Sequence, residues 1–151
     1  MQHIKNNILL IALSTIIFCS ASCGKNYDNA AAAVTAAIIA IEQHDMQKLW
    51  NMLGPEAQSF YNSLGEKQRR SGRGALEREV NIIKTFRSLR NDYKIREDKE
   101  NREIINITWN AGQQFRVVMI KDGDAYKIKD GESVKNMLSA IAYEKNAKED
   151  Y

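Results

Sequence analysis

The sequence predicts an α+β domain: N-terminal helices packed on a curved antiparallel sheet of about four strands, followed by a C-terminal helix. Three observations predict it. Apolar residues recur at helical spacing through the first half, as at Met46, Leu49, Trp50 and Leu53. Between Tyr93 and Ile128 the period falls to two, and Gly-, Asn- and Asp-containing turns separate the runs. Helical spacing then returns at Val134, Met137, Leu138 and Ile141. Helices first and an antiparallel meander second belong to the α+β class.

Ahead of the domain lies a stretch of another kind. Residues 8–23 run Ile-Leu-Leu-Ile-Ala-Leu-Ser-Thr-Ile-Ile-Phe-Cys-Ser-Ala-Ser-Cys, and Lys5 is the only charged residue before Cys23. A cationic start, an apolar core and small residues before a cut site make an export signal of the bacterial type. A membrane-spanning helix needs about 20 apolar residues, and the apolar run here is shorter. Ser20-Ala21-Ser22-Cys23 resembles the lipobox of bacterial lipoproteins, with Ser20 standing where those proteins usually carry an aliphatic residue. That resemblance implies cleavage between Ser22 and Cys23 and a diacylglyceryl group on the Cys23 thiol. Ordinary secretion would cut the same bond and leave Cys23 bare. The chain then divides into a signal peptide at 1–22, a lipidated cysteine and short tether at 23–29, one α+β domain at 30–145 and a charged tail at 146–151. Gly24 follows the cysteine in place of the Asp that favours inner-membrane retention, so the expected location is the outer membrane of a bacterial envelope, on its periplasmic or its surface face.

Composition narrows the partners. With 22 Lys and Arg against 19 Asp and Glu, the formal charge of +3 is too balanced for a nucleic-acid binder. Cys19 leaves with the signal, so Cys23 has no partner for an internal disulfide. His3 leaves too, and the single remaining His44 excludes a clustered-histidine zinc site.

Asp28 or Asn29 caps a helix over 30–43, which is rich in Ala and carries Val34, Ile38 and Ile41 at helical spacing. His44-Asp45 interrupts the pattern, and Asp45 is a natural N-cap for the Met46–Leu53 stripe. Gly54-Pro55 ends that short helix, and Pro55 suits the first turn of the next. Ala57, Phe60, Tyr61 and Leu64 repeat the spacing before Gly65. Residues 66–74 carry Lys67, Arg69, Arg70 and Arg73 among Gln, Ser and Gly, and read as a mobile basic loop. Leu76, Val80, Ile83 and Phe86 mark a further helix running to about Arg90. Tyr93 and Ile95 open the first strand. Ile105, Ile107 and Trp109 share one face of the second, with Ile104 on the other. Phe115, Val117 and Met119 oppose Val118 and Ile120 on a strand apolar on both faces, hence central. Asp122-Gly123 is a two-residue hairpin signal before Tyr126 and Ile128. Helices must cover the face that carries Ile107, Trp109, Phe115 and Val117.

Candidate chemistry is sparse. His44 with Asp45 offers one base, at a helix junction where a capping Asp and a surface His serve as well. Tyr61, Tyr93 and Tyr126 offer hydroxyl donors at core-edge positions. Asp122, Asp124, Asp130 and Glu132 suggest calcium, but Lys127 stands where a calcium loop requires Gly. Asn106-Ile107-Thr108 is a glycosylation sequon by letter, set in a strand. No Gly-rich phosphate loop or serine-nucleophile motif occurs. The sequence thus assigns no catalytic residue, no metal ligand and no cofactor.

Several phrases resemble small lipoproteins with the nuclear transport factor 2-like, or cystatin-like, cone fold: the first helix ending in His44-Asp45, then Leu49-Trp50-x-x-Leu53-x-Pro55-Glu56, and Asp122-Gly123-Asp124-Ala125-Tyr126-Lys127-Ile128. That family usually ends on a strand, whereas a helix is expected here. The resemblance implies a non-enzymatic envelope protein binding a small ligand or a protein partner through the helix–sheet hollow or the sheet's outer face. The alternatives are an isomerase- or dehydratase-like enzyme of the cone fold and a structural component of envelope assembly. A tether of about 20 Å at full extension would also bring Lys67, Arg69, Arg70 and Arg73 within reach of anionic head groups.

Overall fold

The computed structural model describes Tyr27 and residues 29–110 and 112–143. Residues 1–26, Asp28, Ala111 and residues 144–151 lie outside these residues, and with them Ser22, Cys23, most of the tether and the charged tail. Helix α1 (Ala30–Glu42) starts at Asn29, whose side chain accepts the Ala32 N–H at 2.7 Å. Ala33, Ala37 and Ala40 let it lie close to its neighbours, and Val34, Ile38 and Ile41 fill the space between. Its C-terminus closes as a Schellman turn. The His44 N–H donates to the Ile41 carbonyl at 3.1 Å and the Asp45 N–H to the Ala40 carbonyl at 2.8 Å, with His44 at φ 59°. Asp45 then caps α2 (Met46–Asn51) by accepting the Lys48 N–H at 3.0 Å.

Helix α3 (Pro55–Lys67) carries Pro55 in its first turn. The basic stretch after it is not a loop across 66–74: Lys67 is the last residue of α3, and Arg73 is already in α4 (Gly72–Phe86). Only residues 68–71 connect the helices. The correction has a steric cause. Ser71 caps α4 by accepting the Gly74 N–H at 3.1 Å. A β-carbon on Gly65 would sit 2.7 Å from the Arg70 carbonyl oxygen, and one on Gly72 would sit 2.9 Å from the Trp50 ring. The glycines that suggest a loop are thus contact points between elements. A second Schellman turn joins the two helices, with Arg69 at φ 55°, its N–H donating to Glu66 at 3.1 Å and the Arg70 N–H donating to Gly65 at 2.9 Å.

Helix α4 stops at Phe86 rather than near Arg90, because the chain leaves it for a two-residue strand, β1 (Ser88–Leu89). Four antiparallel strands follow, with α5 after the last: β2 (Tyr93–Glu97), β3 (Ile104–Trp109), β4 (Gln114–Asp122), β5 (Ala125–Ile128) and α5 (Gly131–Ile141). The sheet is a curved half-barrel of order β2-β3-β4-β5, which makes β4 an inner strand. The hairpin turn is Gly123-Asp124, one residue later than the Asp122-Gly123 signal, because Asp122 pairs with Ala125. Gly123 stands at φ 62°, which glycine adopts without steric cost at the first turn position.

Strand β5 is shorter than β4, and α5 takes over beside the uncovered edge. The Ser133 hydroxyl accepts the Val118 N–H at 2.9 Å, and the Asn136 amide donates to the Arg116 carbonyl at 2.9 Å. Side chains of a helix thereby continue the hydrogen bonding of a ladder and blunt an exposed edge. After α5 the chain adds β6 (Ala142–Tyr143), antiparallel to β1. The inner face carries Ile105, Ile107, Val117, Met119 and Ile128. These pack with Val34, Ile41, Leu49, Leu53 and Tyr61 from the helices and Met137 and Ile141 from α5 into one core.

Candidate functional site

The first place to look for a ligand is the hollow between helices and sheet. It is filled: the five inner-face residues named above have no solvent exposure. The outer sheet face is polar at one end, where Lys94, Arg96, Thr108, Gln114 and Arg116 stand in register, and apolar at the other, where Ile104 pairs with Val118 and Ile120 follows. Two cavities lined by described residues lie elsewhere, both on α4.

One is a cleft of about 280 Å³ between α4 and α5, floored by Ile82, Ile83 and Leu138 and edged by Glu79, Arg87 and Lys135. Glu79 is held there by Tyr61, whose hydroxyl donates to the carboxylate at 2.6 Å. Tyr61 is 0% exposed; burial, and then the bond to Glu79, push its phenol far above the usual range, so it stays a neutral donor. Next to it Phe60 meets Tyr61 edge-on at 5.1 Å, and the Lys135 ammonium stands 4.8 Å from the Phe60 ring. The other cavity is a shallow depression of about 290 Å³ along the outer side of α4, from Arg70 past Gly74, Arg78 and Ile82 to Phe86. Here the sequence spacing misleads. Leu76, Val80 and Ile83 are buried, but Phe86 is 78% exposed, and Ile82 is 43% exposed. Phe86 is the last helical residue, so no neighbouring turn covers it.

The residues singled out in the sequence do not converge. His44 approaches Glu77 at 3.4 Å on the surface, Asp45 is a helix cap, and Tyr61 is turned to Glu79. Tyr93 is raised by burial first and the Glu42 carboxylate second. Asp122 pairs with Lys127 at 2.5 Å, and Asp130 caps α5 by accepting the Ser133 N–H at 2.7 Å. Among the described residues no group of three or more His, Cys, Asp and Glu is placed to hold a metal ion, and no helix is long and apolar enough to cross a membrane. The four basic residues separate. Lys67 and Arg69 are exposed on the turn, Arg70 lines the α4 depression, and Arg73 donates to Gln47 of α2.

Another cluster is structural. Arg90 donates twice to Asp92, at 2.6 and 2.5 Å, while its guanidinium lies 3.8 Å over Trp109 and 5.0 Å from Tyr143. The bond to Arg90 holds the Asp92 carboxyl below the usual carboxylate range. The Trp109 indole donates to the Ala140 carbonyl at 2.7 Å. A cation already occupied by a carboxylate and two rings ties the β1–β6 pair and the end of α5 to the sheet.

Sequence reasoning missed Ile82 and Phe86 as surface residues. One signal was available: Ile82 and Ile83 are adjacent, and neighbouring positions on a helix cannot both face one core. The fold and site together define an α+β domain with a filled interior and an apolar, partly cationic surface on α4 and α5. No family model matches the chain, and neither a curated protein nor a solved structure matches it.

Proposed function

We propose that the chain is a lipid-anchored protein of the bacterial envelope, in the outer membrane, and a non-enzymatic binding module of the cone-fold type. The observation that carries the binding reading is the contrast between a filled hollow and an open cleft at α4 and α5. An apolar floor whose edge sets Arg87 and Lys135 against the one carboxylate of Glu79 suits an amphiphile with a negative head, or a protein segment of that chemistry. Anchoring rests on the signal at 8–23, with cleavage after Ser22 and acylation of Cys23. The isomerase-like alternative has less support, since His44 approaches Glu77 and Tyr61 donates to Glu79, away from each other. The exposure of Phe86 and Ile82 favours a second reading, a structural contact within the envelope.

The test has two parts. Mass spectrometry of the protein from bacterial membranes should find acyl chains on Cys23, and Cys23→Ala should abolish processing. An unmodified N-terminal Cys23 in the soluble fraction would refute anchoring. The same protein should enhance the fluorescence of anilinonaphthalene sulfonate, an apolar anion, and Ser139→Trp, which fills the cleft, should remove most of that signal. Unchanged fluorescence in Ser139→Trp would mean that the cleft is not the binding surface.

A further inference from the structure

Phe86 and Ile82 are two of the four large apolar residues exposed among the described residues, the others being Ile39 and Phe60. They lie one helical turn apart. Arg70, Gly74, Arg78, Ile82 and Phe86 follow one another every fourth residue along the same depression, so cations occupy one end and apolar side chains the other. The lining sets Arg70 and Arg78, two cations, against the one carboxylate of Glu77, which approaches His44 at 3.4 Å, so the face is net cationic. The depression is shallow and runs along α4, which at about 1.5 Å per residue is roughly 20 Å long.

We infer that the outer face of α4 seats on a bilayer bearing anionic head groups, with Phe86 and Ile82 entering the interfacial zone and Arg70 and Arg78 meeting the head groups. An amphipathic helix with aromatic and aliphatic residues beside arginines binds membrane interfaces in this way, and a bilayer needs no matching cavity. Charge complementarity selects this occupant over a second copy of the chain. A two-fold pairing across the middle of α4 would set Arg78 against its own copy, with the same sign on both sides. Of the basic residues at 67–73, Arg70 lines this face and Arg73 is turned to Gln47, while Arg78 reaches Gln68 at 3.4 Å. The contact rests on the anchoring reading for its proximity to the bilayer.

The experiment uses the full-length protein, purified from bacterial membranes and reconstituted into vesicles of phosphatidylethanolamine and phosphatidylglycerol. A nitroxide is placed at Asn81→Cys, on the face but not one of its apolar contacts, and in a separate sample at Asp124→Cys on the β4–β5 hairpin. The Asn81 label should show a higher ratio of oxygen to nickel-chelate accessibility than the Asp124 label. Phe86→Ser with Ile82→Ser should return it to the water-exposed value, and Arg78→Gln should reduce the contacting population about fivefold, the share of one cation near such a surface. High salt should weaken the contact. A water-exposed ratio at Asn81 overturns the inference, and so does spin–spin broadening there, which would assign the face to a second copy. Acyl mass on Cys23 from the same sample separates the two readings. An acylated protein with a water-exposed Asn81 sinks the α4 contact alone. A non-acylated protein with a membrane-immersed Asn81 sinks the anchor alone.

Discussion

The inner face of the sheet and the outer face of α4 are built from similar side chains and meet opposite environments. Ile107 and Met119 face α-helices on a curved sheet and lose all contact with solvent. Ile82 and Phe86 lie on a helix whose other side is already used by Leu76, Val80 and Ile83, so no element is left to cover them. Apolar character alone therefore does not mark the core. What marks it is a second layer within reach, and α4 has that layer on one side only.

Substitutions can break this contrast or sharpen it. The largest effect is expected inside. Ile107→Ala should cost about 2–5 kcal/mol in urea unfolding, because the surrounding core cannot fully close around the cavity; a loss below about 1 kcal/mol would mean that the inner face is looser than its zero exposure indicates. An intermediate effect of opposite sign is expected where the chain turns into α4. Arg69 holds φ 55°, a conformation costly for a residue with a β-carbon. Arg69→Gly should raise unfolding free energy by about 1 kcal/mol, while leaving the α4 surface intact. No gain would show that the Arg69 side chain makes compensating contacts. The smallest effect is expected outside: Phe86→Ser should change stability by no more than about 0.5 kcal/mol. A loss as large as that of Ile107→Ala would place Phe86 in the core and remove the basis for a surface role.

Much of the fold was legible in the sequence. Asp45 as a cap, Pro55 in a first turn, the separation of Ile104 from Ile105 and Ile107, and the central position of β4 all follow from local rules of capping and alternation. The start of α4 was not legible, because Gly72 and Gly74 lower helix propensity and the close approach of Gly72 to Asn62 and Trp50 cannot be seen in a linear chain. The α4–α5 cleft was hidden for a related reason. Its floor combines Ile82 and Ile83 with Leu138, which only the crossing of two helices brings together.

By itself the sequence determined the order and type of the main helices and strands, though not the bounds of α4, and which face of each strand is apolar. Those properties depend on residues two to four positions apart, whose geometry is set by the backbone period. Only the tertiary structure decided that α5 completes the β4 edge through Ser133 and Asn136, that β1 pairs with β6, and that the hollow is filled while α4 stays open. Each of these joins segments distant in sequence. Their pairing is chosen by which surfaces remain uncovered after the local elements have formed, and no short-range pattern encodes that remainder.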